Sequence, residues 1–352
     1  MNRIKSIHCK EIIRPLRTTF STSLGQKDVM KSVIVKVCLK DGLTGLGECP
    51  TSFVLKEETI PAIKSIIREV VPKMKDLPID KYDEAIEKFR KLYPRNPMTI
   101  SGLETAFFRA SLSFQGISEY EYFGGKLSTI ETDITIPYLT DLEALRKWMA
   151  YTLKSRFTVF KLKVSGDITS DKGLLSEVDG FLRNHIDAFT IRLDGNQGFT
   201  DKTYLKFLDF LSSRNYPIDL FEQPLPKDDY KGLKEIKKRS FVPVILDETI
   251  FNEADLKHAV EDDLCHGINI KIAKSGINES LRLYKGAKKN GLKLMMGCMT
   301  ETITGLSAGI NFAAGTGGFD YIDLDAIHFL YHKHSYKGVT ISGAYYSIDR
   351  ST

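Results

Sequence analysis

An α/β barrel preceded by a smaller α+β region is the fold this sequence predicts, and three observations predict it. From about residue 126 onward, short apolar strands alternate with amphipathic helical stretches, and eight such strands can be read. Their charged or polar marks, Lys163, Asp194, Glu222, Asp247, Lys271, Cys298 and Asp323, recur at intervals of 24–31 residues. A (β/α)8 barrel averages roughly 31 residues per unit. These marks also sit at or near the C-terminal ends of the strands, which in a closed barrel converge on one mouth. A doubly wound open sheet is the second choice, but no glycine-rich dinucleotide fingerprint follows any of the strands.

Taken in order, the chain opens with strand-like runs, "IKSIHCKEII", "SVIVKVCLKDG" and "TGLGECP", with a turn at Lys40-Asp41-Gly42 that predicts a small antiparallel sheet. Between the first two lies "RTTFSTSLGQKD", polar and carrying a glycine, which reads as a flexible loop. Helical patterns follow in "KEETIPAIKSIIREVVPKMK", "DKYDEAIEKFRKLY" and "SGLETAFFRASLSF". After "FGGKLSTIETD" the rhythm changes to the barrel strands "ITIPYL", "FTVFKLKV", "FTIRLDG", "IDLFEQP", "PVILDET", "GINIKIA", "LKLMMGC" and "YIDLDAI". The predicted organisation is a capping region over 1–125, a barrel over 126–335 and a C-terminal segment over 336–352 that returns to the cap.

Composition narrows the function classes. The 352 residues carry 50 basic and 45 acidic side chains, a net charge of +5 spread along the chain, which does not argue for nucleic acid. No apolar run is long enough to span a bilayer, and the start "MNRIKSIHCKEII" lacks the apolar core of a signal peptide. Five widely spaced cysteines without metal-finger spacing fit a reduced, cytoplasmic protein. Nothing here argues against a homo-oligomer.

Two features carry chemistry. In "VFKLKVSG", Lys161 and Lys163 are two apart on a strand and so share a face. On an edge strand such a pair is a solvated face that deters pairing, but a closed barrel has no edge. Asp194, Glu222 and Asp247 each end an apolar strand, in "IRLD", "LFE" and "ILD". Any one of them could cap the following helix or pair with a lysine. Three converging at one mouth repel one another, and a hard divalent cation with oxygen ligands, Mg²⁺, resolves this. Lys163 and Lys271, on the second and sixth strands, flank these carboxylates from opposite sides. Burial, the neighbouring Lys161 ammonium and a nearby metal are expected to lower the lysine pKa, so that it acts as a base near neutral pH. Lys274 reads as a loop residue beyond the strand end.

The set "KLK" (Lys161, Lys163), "LDGNQG" (Asp194, Asn196), "FEQPL" (Glu222), "LDET" (Asp247) and "NIKIAKSG" (Lys271) resembles the enolase superfamily, in its muconate-lactonizing branch. The resemblance covers nearly the whole chain and implies a TIM-like barrel of the modified (β/α)7β type beneath an α+β capping domain. It further implies that Asp194, Glu222 and Asp247 bind Mg²⁺, that Lys163 and Lys271 are acid/base groups on opposite faces of the substrate α-carbon, that Lys161 joins them as a catalytic and substrate-binding residue, and that Asn196 supports the site.

Several reactions share that scaffold, and "YIDLDAIHF" discriminates among them. Asp323 and Asp325, two apart on the last strand, suit a cationic group on the substrate, unless they cap the following segment. An Asp-x-Asp there, preceded by "GCMTET", is similar to the dipeptide epimerases of the superfamily, in which Cys298 and Thr135 match substrate-touching positions. The resemblance implies inversion of the C-terminal residue of an L,L-dipeptide. Epimerases acting on Ala-Glu carry an arginine in the cap loop where this chain has Gly25. A hydrophobic or cationic C-terminal side chain is therefore expected, with Glu57 and Glu58 either receiving a cation or starting a helix. The alternatives are an o-succinylbenzoate synthase, an N-acylamino acid racemase or a muconate cycloisomerase. A lysine Schiff-base barrel enzyme is the alternative of a different class, and it leaves the three carboxylates without a purpose.

Overall fold

Three strands open the chain, β1 (Ile4–Thr22), β2 (Gly25–Leu39) and β3 (Thr44–Pro50), antiparallel in that order, in a computed structural model that describes residues 2–52, 55–331, 336 and 338–349. The segment expected to be a flexible loop is an extended hairpin, paired Phe20 to Lys27, Ser21 to Gln26 and Thr22 to Gly25 around a two-residue turn. The reason is local: Thr18, Thr19, Phe20 and Thr22 are β-branched or aromatic, and their strand preference outweighs a polar composition. Helices α1 (Ile60–Met74), α2 (Tyr82–Leu92) and α3 (Pro97–Gln115) complete the cap. In α1 the buried residues Ile63, Ile66, Ile67, Val70 and Met74 recur at helical spacing, and Thr59 caps its start.

Helix α3 is buried from Met98 to Leu112 because it lies between the cap sheet and the barrel. On one side the β3 backbone rests directly on it. A Cβ at Gly47 would fall 1.9 Å from the Gly102 carbonyl oxygen, and one at Gly45 2.1 Å from that of Ala106. On the other side Ser101 donates to the Ile272 carbonyl at 2.5 Å, and Glu104 accepts from Arg90 at 2.7 Å and from the Asn278 N–H at 2.9 Å. Gly47→Ala must push strand and helix apart. It is expected to lower the free energy of unfolding by at least about 1–3 kcal/mol, measured by urea titration against the parent.

The barrel follows a short strand β4 (Thr129–Glu131). Its eight strands are β5 (Ile134–Ile136), β6 (Val159–Lys163), β7 (Thr190–Asp194), β8 (Ile218–Glu222), β9 (Val244–Leu246), β10 (Gly267–Ile270), β11 (Lys293–Gly297) and β12 (Tyr321–Asp323). They form one parallel sheet in chain order, and every strand read from the sequence is among them. The first and last strands meet where the Asp133 N–H donates to the Ile322 carbonyl at 3.2 Å, which nearly closes the ring. Each connection between successive barrel strands contains a helix. Among the described residues a short 3₁₀ turn, Ala326–Phe329, follows β12 where an eighth helix would stand. β13 (Val339–Ser342) and β14 (Tyr345–Ile348) form a hairpin that pairs with β4, and just before it Arg109 of α3 lies 4.7 Å over the Tyr336 ring.

The alternation of strands explains why charge collects at the mouth. Two residues before Asp194, Glu222, Asp247 and Asp323, on the same faces, stand Arg192, Leu220, Ile245 and Tyr321. With Met295, the last three form an apolar cluster inside the barrel, and Arg192 stacks over Tyr321 at 5.2 Å. This plug is the floor, and the next layer up is the site.

Candidate active site

Lys163, Asp194 and Glu222 are register partners across β6, β7 and β8, so their side chains stand side by side at one height. Lys163 Nζ donates to Asp194 Oδ2 at 2.5 Å. Lys161, one layer deeper, donates to Glu222 at 3.1 Å and to Asp323, and lies 3.4 Å from Asp194. Across the mouth, Lys271 donates to Asp247 Oδ2 at 2.6 Å. All of these side chains are buried. The lysine pair is thus interior, as barrel closure requires, and the edge-strand reading falls away.

Without a cation at the carboxylates, the charge state of Lys271 differs from the sequence expectation. Burial pulls Lys161 and Lys271 down, but the carboxylates around them more than reverse it: Asp323, Glu222 and Asp194 for Lys161, Asp247 and Glu222 for Lys271. Both are held above the ordinary lysine range instead of below it. The carboxylates divide. Burial works against the charge on Asp247, but Lys271 and Lys274 hold it well below the usual range. Glu222 is pushed up to about 7 by burial and by the Asp194 charge.

Four residues that the sequence reading passed over complete this side of the mouth. Lys274 is no loop residue. It lies buried on the one-turn helix Ile272–Ser275 and donates to Asp247 Oδ1 at 2.8 Å and to the Asp247 carbonyl at 2.7 Å. Its place three residues after Lys271 was the available signal, since one helical turn returns the side chain to the same side. Asn269 donates to Glu222 Oε1 at 2.7 Å. Glu248 is pushed up to about 8 by burial and by Asp247 and Asp194, and accepts from Asn196 Nδ2 at 3.2 Å. Gln223 accepts from the Asp247 N–H at 2.9 Å and holds a positive φ of 30°, as do Asn196 at 39° and Gln197 at 68°. Non-glycine residues rarely adopt this backbone, and here it clusters where two strand ends turn over the site.

The oxygen donors fit a hard divalent cation. Asp194, Glu222, Asp247 and Glu248 are four buried carboxylates near enough for the charge of one to act on another, and Glu248 Oε2 and Asn196 Oδ1 have no hydrogen-bond partner. Buried oxygens without donors are costly, and an oxygen-seeking ion relieves that cost.

A second acidic group lies beside the first. One oxygen each of Asp133, Asp323 and Asp325 falls within 4.8 Å of the others. This group already has positive and N–H partners: Arg192 donates to Asp133 at 2.7 Å, Lys161 to Asp323, and the Thr135 N–H to Asp325 at 2.6 Å. The Cys298 thiol lies 3.8 Å from Asp325.

Asp247 and Glu248 of the first group and Asp323 and Asp325 of the second line one cleft, with a free volume of about 90 Å³. Lys161, Lys163, Lys271, Asp323 and Asp325 line its floor with Thr135 and Cys298. The cap supplies the roof. Phe20 and Leu24 of the β1–β2 hairpin face the cleft with Leu55 and Met98, and Ser23 Oγ donates to the carbonyls of Gly195 at 3.1 Å and Asn196 at 2.7 Å. Glu58 does not face a ligand. It accepts from the N–H groups of Met98 at 2.8 Å and Thr99 at 3.0 Å, capping the start of α3. Gly25 sits at the hairpin turn, and Lys27, two residues on, lines the cleft.

Residues 143–351 match the family model for enolase C-terminal domain-like proteins. The chain belongs to that family. Within it, the chain is 30% identical to the hydrophobic dipeptide epimerase of Citrifermentans bemidjiense over 90% of its own length and 87% of the relative's. Its fold superposes on a substrate-liganded complex of the L-Ala-D/L-Glu epimerase from Bacillus subtilis with a TM-score of 0.92, at 28% identity, covering 99% of this chain and 96% of the other. A dipeptide epimerase from Enterococcus faecalis, complexed with Mg and the dipeptide L-Leu-L-Tyr, superposes with a TM-score of 0.89 at 26% identity, covering 99% and 97%. This member of the enolase superfamily is an isomerase of the epimerase type, with the (β/α)7β barrel and α+β cap of its relatives.

Proposed function

We propose that the protein inverts the α-carbon of the C-terminal residue of a dipeptide, converting L,L to L,D with Mg²⁺ bound. The observation that carries this reading is the joint presence, in one cleft, of Lys163 and Lys271 on opposite sides and of the paired Asp323 and Asp325. Residues 1–125 act as cap and specificity roof, 126–335 as catalytic barrel, and 336–352, of which 337 and 350–352 lie outside the described residues, as a C-terminal segment returning to the cap, in a cytoplasmic enzyme.

Asp194, Glu222 and Asp247 would hold the metal, with Asn196 and Glu248 supporting them. The second acidic group is less suited to it, because Arg192 and Lys161 already neutralise much of its charge. When bound, Mg²⁺ would neutralise these carboxylates and stabilise the charge that develops on the substrate carboxylate. The substrate lies with its α-carbon between Lys163 and Lys271. One lysine removes the α-proton from its face and the other returns a proton to the opposite face. Lys161 ties Glu222 to Asp323 and so fixes the metal side of the cleft relative to the amino-terminal side. Asp323 and Asp325 receive the substrate ammonium, and Thr135 and Cys298 border it.

For the side chain being inverted, the apolar roof of Phe20, Leu24, Leu55 and Met98 supports a hydrophobic residue. The dipeptide epimerases of C. bemidjiense and E. faecalis support the same choice. A cationic side chain is disfavoured, since Glu58 is committed to α3 and Lys27 faces the cleft. Lys27 also favours a second reading, an acidic side chain. A dipeptide library assayed in D₂O by mass spectrometry decides between Leu, Lys and Glu at this position.

N-acetylation tests the dipeptide reading against acylamino acid racemase and o-succinylbenzoate synthase. Acetylating a good substrate removes its ammonium and leaves Asp323 and Asp325 facing an amide. A lost hydrogen bond to a charged group costs roughly 1.5–3 kcal/mol, so kcat/KM is expected to fall about 10- to 100-fold. Better turnover of acetyl or succinyl amino acids than of any free dipeptide would replace this reading with its alternative.

A further inference from the structure

Asp133 precedes β5, is 1% exposed, and stands behind the aspartate pair. Its Oδ2 accepts from Arg192, but its Oδ1 has no donor. Asp323 repeats the pattern: Oδ2 accepts from Lys161, and Oδ1 has no donor. Asp325 differs, since the Thr135 N–H and the Cys298 thiol occupy its two oxygens. Two buried carboxylate oxygens are therefore left without a donor, on side chains that each bring one oxygen within 4.8 Å of the other. Buried anions in that position repel, and one proton held between them relieves both.

We propose that Asp133 and Asp323 share one proton between their Oδ1 atoms, and that the ammonium of the substrate binds in exchange for it, which makes Asp133 a positioning residue for the substrate amino terminus. The proposal rests on the dipeptide reading. The exchange balances: one positive charge enters as ammonium, and one leaves to solvent as the shared proton. Arg192 holds Asp133 Oδ2 at 2.7 Å, so Asp133 keeps its place beside Asp323 with or without the proton.

The groups around Asp133 support this direction. Burial and the Asp323 charge push Asp133 well above the usual carboxylate range, while Arg192 and Lys161 oppose them and Asp325 adds to them. Tyr346 of β14 is itself pushed up by burial and by these acids, and remains neutral. Asp219 lies on the far side of Arg192, at 3.4 Å from it. Below the titration of the pair, substrate competes with the proton. As pH rises through it, KM for a free dipeptide is expected to fall by up to about tenfold per pH unit, with kcat nearly constant.

The test uses the Mg²⁺-loaded enzyme. Calorimetry of dipeptide binding in buffers of different ionisation enthalpy is expected to show proton release for the free dipeptide and none for its N-acetyl form. Asp133→Asn keeps both contacts, since its amide donates to Asp323 and its carbonyl accepts from Arg192, but it has no proton to give up. In that variant KM for the free dipeptide is expected to rise about tenfold at the pH where the parent binds best and to lose its fall with pH. KM for the N-acetyl compound should not change. A parent enzyme that turns over free dipeptide without releasing a proton overturns the proposal alone, as does an Asp133→Asn enzyme with the parent's KM profile. A parent that turns over no free dipeptide overturns the dipeptide reading and the proposal together. The calorimetry decides the matter even if the variant does not fold.

Discussion

Lys163→Ala and Lys271→Ala are each expected to lower net epimerisation by about 10²- to 10⁴-fold, the range for loss of a general acid–base group. Each variant is still expected to exchange the α-proton of one epimer with solvent deuterium, and the two variants should differ in which epimer that is. The structure gives a reason to expect both to fold. Without Lys163, Asp194 keeps Lys161 at 3.4 Å, and without Lys271, Asp247 keeps Lys274 at 2.8 Å. No buried carboxylate is left without a cation, which is the usual cause of large losses on breaking a buried pair. The loss is therefore chemical. Incubating each pure epimer in D₂O and following mass and configuration separates exchange from inversion. A single variant that inverts at the parent rate would end the two-base mechanism.

The barrel was legible because its chemistry and its fold use the same positions. An apolar strand that ends in a charge is unusual, and the repeat of that pattern locates both strand and mouth. Lys163, Asp194, Glu222, Asp247, Lys271 and Asp323 all announce themselves this way. Asp133 does not, because it precedes its strand instead of ending it. The stagger between strands that barrel closure imposes brings the start of β5 level with the end of β12, where the Asp133 N–H meets the Ile322 carbonyl. That register is long-range and leaves no local trace. Lys274 escaped for another reason. It follows the strand end by one helical turn, and a turn so short has no periodicity to read. The cap hairpin was misread from its composition, since Gly25 and the polar residues around it resemble a loop. Its pairing follows the strand preference of Thr18, Thr19, Phe20 and Thr22, and tertiary contacts hold it over the barrel, with Ser23 tied to the Asn196 carbonyl and Phe20 packed edge-on against Phe329 at 5.4 Å. Like-charge repulsion is visible in "KLK", whereas the carboxylates that outweigh burial at Lys161 and Lys271 come from strands far away in sequence.

Removing divalent cations is expected to abolish activity, and Mg²⁺ to restore it. The α-proton of an amino acid carboxylate is weakly acidic, and the dianionic charge that forms on its removal needs several kcal/mol of stabilisation. At about 1.4 kcal/mol per tenfold, loss of that term lowers the rate by roughly 10³-fold or more. The protein amplifies the effect through its own residues. With Asp194 and Asp247 bound to Lys163 and Lys271, both prospective bases are turned toward carboxylates, not toward a substrate. Metal-free enzyme is thus expected to fail even at the exchange step, for both epimers, which sets it apart from either lysine variant. Glu222→Gln tests the same point from the protein side. Glu222 joins Asn269 on one oxygen to Lys161 on the other, and a glutamine presents an N–H to Lys161 where there was an acceptor. Magnesium affinity, read by calorimetry, and turnover should fall together in that variant, and excess Mg²⁺ should recover part of both. Full activity in a rigorously metal-free sample, or a Glu222→Gln enzyme with unchanged magnesium affinity, would move the metal away from Asp194, Glu222 and Asp247.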